Sequence, residues 1–421
     1  MAAWPVDPEA LRALWRGGKD RSLAVAVSGG GDSLALLALL RQAAADRPVV
    51  AVIIDHAVQD GSAIVAAQAA ARAEALGARA EVRRLNWSGP APRDQASARE
   101  ARYRALAEAA RGVGADTIAV AHTLEDQAET ALLKWSRSGR WGEAGMRALS
   151  PCPVWPDGLG LWLARPLLGV RRDQLRDWAR AQGLFWHDDP ANANPAYARV
   201  RARAILAADP GLSARLAAHA SLAADRAARR QAAALAWVED AARFDDPEGA
   251  VAIDRLPADR GGLTGLAALL GAVAGGAPAA TPEAVMRLAA ALRAGAAAQT
   301  LGGAVVRRLG CGFVIDRDPG ALLGRSGVAP QPPIPLVPGT PVLVDGRIWL
   351  VAKTAGYEAV ATRRARWALR RNGHWIALDA SEDVTVRWLT VALVRHILAP
   401  VEPIAGCDGF KGVQQALGLL S

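Results

Sequence analysis

The chain has 421 residues, more than a single core usually holds, and its apolar fraction of 52% is ample for two or three folded domains. Its net charge of +9 attracts polyanions at long range and makes nucleic acid the leading partner class, against a merely basic soluble surface. Three dispersed cysteines, Cys152, Cys311 and Cys407, without a Cys-x-x-Cys pair, argue against a zinc ribbon, an iron–sulfur site or a disulfide scaffold.

The first twenty residues carry Asp7, Glu9, Arg12 and Arg16 and lack an uninterrupted apolar core, so no signal peptide is read there and a cytoplasmic enzyme is expected. Apolar runs at 22–27, 48–54 and 116–121, with a weaker one at 80–85, are each followed by helical sequence. This βαβ rhythm predicts an α/β fold, a doubly wound parallel sheet whose ligands bind beyond the carboxyl ends of the strands. The polar residues at those ends are Ser28 to Ser33, Asp55 with His56, and His122, which one crevice should collect. After Asp209-Pro210-Gly211 an Ala- and Arg-rich helical region runs over 212–243, further helix is expected at 281–294, and short strands near 303–316. Residues 261–282 hold no charge, but six glycines and Pro278 interrupt them, which predicts a buried helical segment and no membrane span. A Pro-rich joint (Pro330, Pro332, Pro333, Pro335, Pro338) precedes a last module with β-like runs at 341–344 and 348–351 and a basic run from Arg363 to Arg371. In that run RNA contact competes with an ordinary solvated surface, and Trp367 is more simply core than a base-stacking platform. The expected domains are thus 1–210, the doubly wound α/β domain; 211–325, a helical and mixed middle domain; and 335–421, a small C-terminal α+β domain.

The turn Ser28-Gly29-Gly30-Gly31-Asp32-Ser33 lies between a strand and a helix. Its glycines let backbone N–H groups approach an anion, and the helix start adds unpaired donors and a positive dipole end. A Walker loop would need a Lys and a dinucleotide fingerprint would need Gly-x-Gly-x-x-Gly, and neither is present. Asp32 inside an anion-binding turn makes sense when Mg²⁺ stands between carboxylate and phosphate. The segment His122-Thr123-Leu124-Glu125-Asp126-Gln127-Ala128-Glu129-Thr130 opens a helix with carboxylates three and four residues apart on one face. It suits a metal near the helix start, or simply acids favoured by the dipole, with Thr123 as cap. Arg199, Arg201 and Arg203 all point one way if extended, whereas in a helix only Arg199 and Arg203 share a face; either geometry presents guanidinium to phosphate.

Together these stretches resemble the PP-loop ATP pyrophosphatase superfamily, whose signature is Ser-Gly-Gly-x-Asp-Ser, and within it the tRNA(Ile)-lysidine synthetases. Their His-x-x-Asp-Asp-Gln-Ala-Glu-Thr stretch is similar to 122–130, with Glu125 in place of the first Asp. Asp55-His56, the helix Ala98-Arg99-Glu100-Ala101-Arg102-Tyr103, Gly145-Met146, Arg165-Pro166-Leu167-Leu168, Asp189-Pro190-Ala191-Asn192, Tyr197 to Arg203 and Gln299 to Gly303 resemble further family blocks. The likeness is dense over about the first 210 residues and weak beyond 320. Arg137-Ser138-Gly139 is one residue short of the family's Arg-Gly-Ser-Gly, and the C-terminal module lacks its Gly-Asp-Arg motif.

The resemblance implies an ATP- and Mg²⁺-dependent ligase. It would adenylylate the wobble cytidine of CAU-anticodon isoleucine tRNA, join free L-lysine to C2, and so change codon reading from AUG to AUA. Asp32, His122, Asp126 and Arg199 would be catalytic, with Asp32 and Asp126 holding metal. Ser28, Gly29, Gly30, Gly31, Asp32, Ser33 and Asp55 would bind ATP, while Glu129, Arg137, Asp189, Arg201 and Arg203 would meet substrate. The alternatives are another PP-loop tRNA-modifying enzyme such as a thiolase, which needs cysteines to carry sulfur, a small-molecule ligase, and a non-catalytic RNA-binding protein on the same fold. No membrane partner is expected, and the sequence leaves the oligomeric state open, a homodimer included.

Overall fold

A computed structural model describes residues 3–16, 20–57, 61–87, 95–138, 145–186, 198–244, 249–276, 280–324, 329–362 and 366–399. The chain forms two compact units that meet between Ala228 and Arg229.

The first unit runs α1 (Pro8–Arg12), β1 (Ser22–Ala26), α2 (Gly31–Ala43), β2 (Val49–Asp55), α3 (Ser62–Ala75), β3 (Arg79–Arg84), α4 (Gln95–Gly112), β4 (Ala115–Ala119), α5 (Leu124–Ser138), β5 (Leu149–Pro151), β6 (Trp162–Ala164), α6 (Arg172–Ala181), α7 (Ala198–Ala208) and the start of α8 (Pro210–Ala241). The sheet order is β3-β2-β1-β4-β6-β5, with every pair parallel except the β5–β6 edge. Strands buried on both faces read as near-continuous apolar runs, which is why β1 and β2 stand out in the sequence, while β4 carries Asp116 and Thr117 ahead of its buried Ile118 and Ala119. On one face Ala24, Ala26, Val50, Val52 and Ile118 pack against Tyr103, Leu106, Ala107 and Ala110 of α4. The chain order reverses between β1 and β4, so the turn after β1 and the residues after β4 flank the switch point where such sheets open a crevice. The strands β5 and β6 are three residues each, in a stretch rich in Pro and Gly, and carry no periodic signal. A smaller core joins Ala128 and Ala131 of α5 to Leu206 of α7 and to Leu216, Ala217 and Ala220 of α8.

The second unit holds a five-stranded antiparallel sheet ordered 242–243, 251–253, 312–317, 304–309, 298–301. The helix Arg260–Val273, which takes in the first half of the uncharged stretch of the sequence, is largely buried, its cap supplied by Asp259 to the Gly262 N–H. Among the described residues no helix is long and apolar enough to cross a membrane. A four-stranded and a three-stranded sheet follow. The proline-rich stretch is part of this core: Ile334–Pro335 pairs with Tyr357–Ala361, and Leu336 packs with Leu322, Val344 and Leu350. Buried charges tie these sheets together. Asp345 receives Arg317 Nε and Nη2 at 2.9 and 2.7 Å and Arg347 Nε at 3.0 Å, while Asp316 accepts both guanidinium nitrogens of Arg366 at 2.9 and 3.0 Å. Of the basic run, Arg366, Arg370 and Arg371 are ion-paired within the unit and Trp367 is buried, whereas Arg363, Arg364 and Ala365 lie outside the described residues.

Candidate functional site

The turn after β1 is held by its own serines. The Ser28 N–H donates to Ser33 Oγ at 3.2 Å, and the Ser33 hydroxyl donates to the Gly30 carbonyl at 2.9 Å, so the two ends of the loop are fastened to each other. Gly29 has φ of +83°, which a side chain rarely adopts, and a Cβ there would meet Ala69 of α3 at 3.2 Å. Helix α2 begins at Gly31, so Asp32 lies in its first turn with the loop N–H groups around it. Asp55, at the end of β2, is buried. Its Oδ1 accepts the Ala57 N–H at 2.9 Å, and although burial opposes ionisation, Ser62 and that N–H hold its carboxyl below the usual range. It therefore links the chain just beyond β2 to Ser62 at the start of α3.

After β4, Asp126 ties down the start of α5 through Thr123. Asp126 Oδ2 accepts both the Thr123 N–H at 2.9 Å and its hydroxyl at 3.1 Å. Burial would raise the Asp126 pKa, but Arg172, the Thr123 N–H, His122 and Arg199 outweigh it and keep the carboxylate charged. His122 is held neutral, its pKa pushed down to about 3 by burial and by Arg165, Arg199 and Arg99, with Asp126 opposing. Its Nδ1 is buried and finds no hydrogen-bond partner among the described residues. His56 is likewise lowered by burial and then by Arg102. Arg99, Arg102, Arg165 and Arg199 thus make the region beyond β2 and β4 strongly electropositive, suited to a polyanion.

The nucleotide turn and the acidic helix meet at a residue that the sequence reading did not single out. Arg172, at the start of α6, donates from Nε to Asp32 Oδ2 at 2.8 Å and from Nη2 to Asp126 Oδ2 at 3.0 Å, and its Nη1 stands 3.9 Å from Glu129 Oε1. Arg176, one turn on, donates to Asp32 Oδ1 at 3.2 Å. Burial would weaken the Arg172 charge, but Asp126 and Asp32 outweigh it and hold the proton more firmly than in a free arginine. Glu125 Oε2 accepts the backbone N–H of Arg172 at 2.9 Å, so the residue in place of the family's first Asp caps α6 from a neighbouring helix. In the sequence, Arg172 and Arg176 look like any solvated i, i+4 row in an arginine-rich chain. The signal that could have found them is the position of α6 after β6, which returns its start to the same end of the sheet.

Glu129 is fully buried. Its Oε1 accepts Arg203 Nε at 2.9 Å, and its Oε2 has no hydrogen-bond partner among the described residues. It lines a cavity of about 450 Å³ together with Glu125, Arg172, Arg176, Arg203 and Ser213, whose buried hydroxyl is also unpartnered among those residues. Since α7 is a helix, Arg199 and Arg203 share a face as expected, one near His122 and the other on Glu129, while Arg201 is exposed. Arg137 lies in the last turn of α5 with its side chain outside the described part, and Asp188 and Asp189 lie outside the described residues altogether.

Two carboxylates, Asp32 and Asp126, converge on one cationic group, which fits a hard divalent ion that takes one or two carboxylates and completes its shell with phosphate and water. Among the described residues no group of three or more His, Cys, Asp or Glu side chains could hold a metal by itself.

Comparison with known proteins matches residues 7–209 to a PP-loop domain. Three similar proteins are each named tRNA(Ile)-lysidine synthase. That of Hyphomonas neptunium is 44% identical over 190 residues, covering 44% of this chain and 51% of the relative. That of Caulobacter vibrioides is 45% identical over 197 residues, 46% of this chain and 47% of the relative. That of Salinispora tropica is 44% identical over 257 residues, 60% of this chain and 73% of the relative. The chain therefore spans about half the length of the first two relatives and nearly three quarters of the third.

Proposed function

This chain belongs to the tRNA(Ile)-lysidine synthase family, and on that premise we propose that it is an ATP-dependent ligase that joins lysine to C2 of the wobble cytidine of CAU-anticodon isoleucine tRNA. In the first step the cytidine oxygen at C2 attacks the α-phosphorus of ATP and pyrophosphate leaves. In the second the amine of free lysine attacks C2, and AMP departs with that oxygen. The loop from Ser28 to Ser33 would cradle the phosphates through its backbone N–H groups, with Asp55 shaping the neighbouring turn. Asp32 and Asp126 would hold Mg²⁺, which when bound neutralises charge on the leaving pyrophosphate. Arg199 is suited to the charge that develops at the α-phosphate. His122, neutral through the physiological range and a weak base with a pKa of about 3, is suited to accept a hydrogen bond from the attacking amine. Arg201, with Arg137 and Asp189, is assigned to the RNA or amino-acid side, and Glu129 with Arg203 to lysine.

The observation that carries this reading is the convergence of Asp32 and Asp126 beside the buried, half-paired carboxylate of Glu129. A phosphate-binding turn thereby adjoins a cavity of amino-acid size lined by both acidic and basic side chains. A thiolase reading is disfavoured by the lack of a Cys-x-x-Cys pair and by Cys152, fully buried with its thiol pushed up to about 11 by burial. A cytoplasmic location remains part of this proposal, and the oligomeric state stays open, a homodimer included. The test is to incubate the full chain with ATP, Mg²⁺, labelled lysine and total bacterial tRNA. Label entering RNA with one pyrophosphate and one AMP released per lysine is expected, and ATP cleavage without label in RNA would overturn the reading.

A further inference from the structure

We infer that Arg172 is a positioning residue that couples the nucleotide turn to the amino-acid pocket, so that nucleotide binding raises the affinity for lysine. The inference rests on the assignment of lysine to the Glu129 cavity. Three carboxylates, Asp32, Asp126 and Glu129, are matched here by three guanidinium groups, Arg172, Arg176 and Arg203. Arg172 reaches carboxylates of both elements, with Nε on Asp32 and Nη2 on Asp126, and its Nη1 stands 3.9 Å from Glu129. Its side chain is 17% exposed and its partners 21%, 10% and 0%, so solvent screens these charges weakly.

The sign of the coupling follows from charge. An ammonium entering beside Glu129 adds a fourth cation to a set that is already balanced, and meets Arg172 as a like charge. The anionic phosphates of a nucleotide in the Ser28–Ser33 turn draw the guanidinium toward themselves, because a planar fork of donors is well matched to phosphate oxygens. That movement unburdens Asp126 and Glu129 and leaves the pocket negative, and the ammonium then binds more tightly. Linkage requires the converse: bound lysine must tighten nucleotide binding by the same factor.

The experiment measures lysine affinity of the full chain by calorimetry, alone and with saturating Mg²⁺ and the α,β-methylene analogue of ATP, which cannot be cleaved at the reacting bond. In the wild type the analogue should raise lysine affinity about tenfold, within the range of coupled sites. In Arg172→Gln the uncompensated carboxylates should bind lysine more tightly without nucleotide than the wild type does, and the analogue should then change that affinity less than twofold. Arg172→Lys keeps the charge but cannot fork across two carboxylates, so it should show wild-type lysine affinity alone with the coupling reduced. It also supplies the answer if the Gln variant does not fold. A variant that keeps the full wild-type coupling, or a wild type that binds both ligands independently, overturns the inference and leaves the function standing. A wild type that binds the analogue but never lysine overturns the assignment of the pocket itself.

Discussion

The indole of Trp186 fills the space that a side chain on Gly31 would need: a Cβ there would stand 2.7 Å from Cε2 and 2.8 Å from Cδ2 and Nε1 of the ring. The same ring is stacked by Arg176 at 5.8 Å and Arg180 at 5.6 Å, so it cannot slide away without disturbing a guanidinium that holds Asp32. Gly31→Ala should therefore weaken nucleotide binding and lower stability by about 1 to 3 kcal/mol through overpacking. Since Gly31 is an ordinary helical residue, the conflict is with the ring alone, and adding Trp186→Ala should recover much of the loss. A double variant as weak as the single one would show that the backbone itself requires glycine.

Glu129 separates amino-acid binding from nucleotide chemistry. Replacing it by Gln keeps the shape of a fully buried side chain and removes the charge. We expect the lysine concentration for half-maximal rate to rise at least tenfold while the ATP requirement changes little, because an unpaired buried charge partner is worth on the order of 2 to 5 kcal/mol of binding. Steady-state titration of each substrate reads the two effects separately. Equal changes in both would make Glu129 a structural residue that only positions Arg203.

The buried charges of the second unit give a stability prediction free of catalysis. Asp345 is backed by Arg317 and Arg347, the latter 2% exposed, and has φ of 51°, which Asn tolerates. Asp345→Asn leaves two guanidinium groups without their anion and should cost about 3 to 5 kcal/mol. Urea unfolding of the full chain, followed in the second unit, measures it. A loss below about 1 kcal/mol would mean that carbonyl groups alone suffice to hold these arginines.

His122 makes stability depend on pH in a definite direction. Its folded pKa of about 3 lies below the ordinary 6.5, so the unfolded chain binds the extra proton between those values and stability rises with pH across that window. Above pH 6.5 the contribution is level, and toward pH 4 it is largely lost. His122→Asn should flatten the slope between pH 6.5 and 4 in denaturant titrations. An unchanged slope would locate the titrating group elsewhere.

Much of the catalytic unit is written in local pattern. Apolar runs give β1 and β2 and, less cleanly, β4, and three glycines before an apolar helix give the phosphate turn. Glu129 and Asp126 are legible because their spacing on α5 puts them on one face. Arg172, Arg176 and Trp186 are not, since their importance comes from the sheet order, which carries α6 back beside α2. Glu125 reads as a departure from a family motif, yet its carboxylate finds a backbone donor on α6 that no local rule reveals. In the second unit the prolines suggest a spacer, but the strand Ile334–Pro335 uses proline at a sheet edge, where a missing N–H costs little.

Helix α8 sets where this protein can be cut. It starts at Pro210 and runs unbroken to Ala241, and its first turns carry Leu216, Ala217 and Ala220, which cover Ala128 and Ala131 on the back of the helix that bears Asp126 and Glu129. A gene fragment stopped at the Asp209-Pro210 turn, where the sequence alone would invite a stop codon, would expose that apolar seam and loosen both carboxylates. The minimal catalytic piece should instead extend to Ala228 or beyond, and libraries of truncations should show expression and solubility returning only once those first turns of α8 are restored.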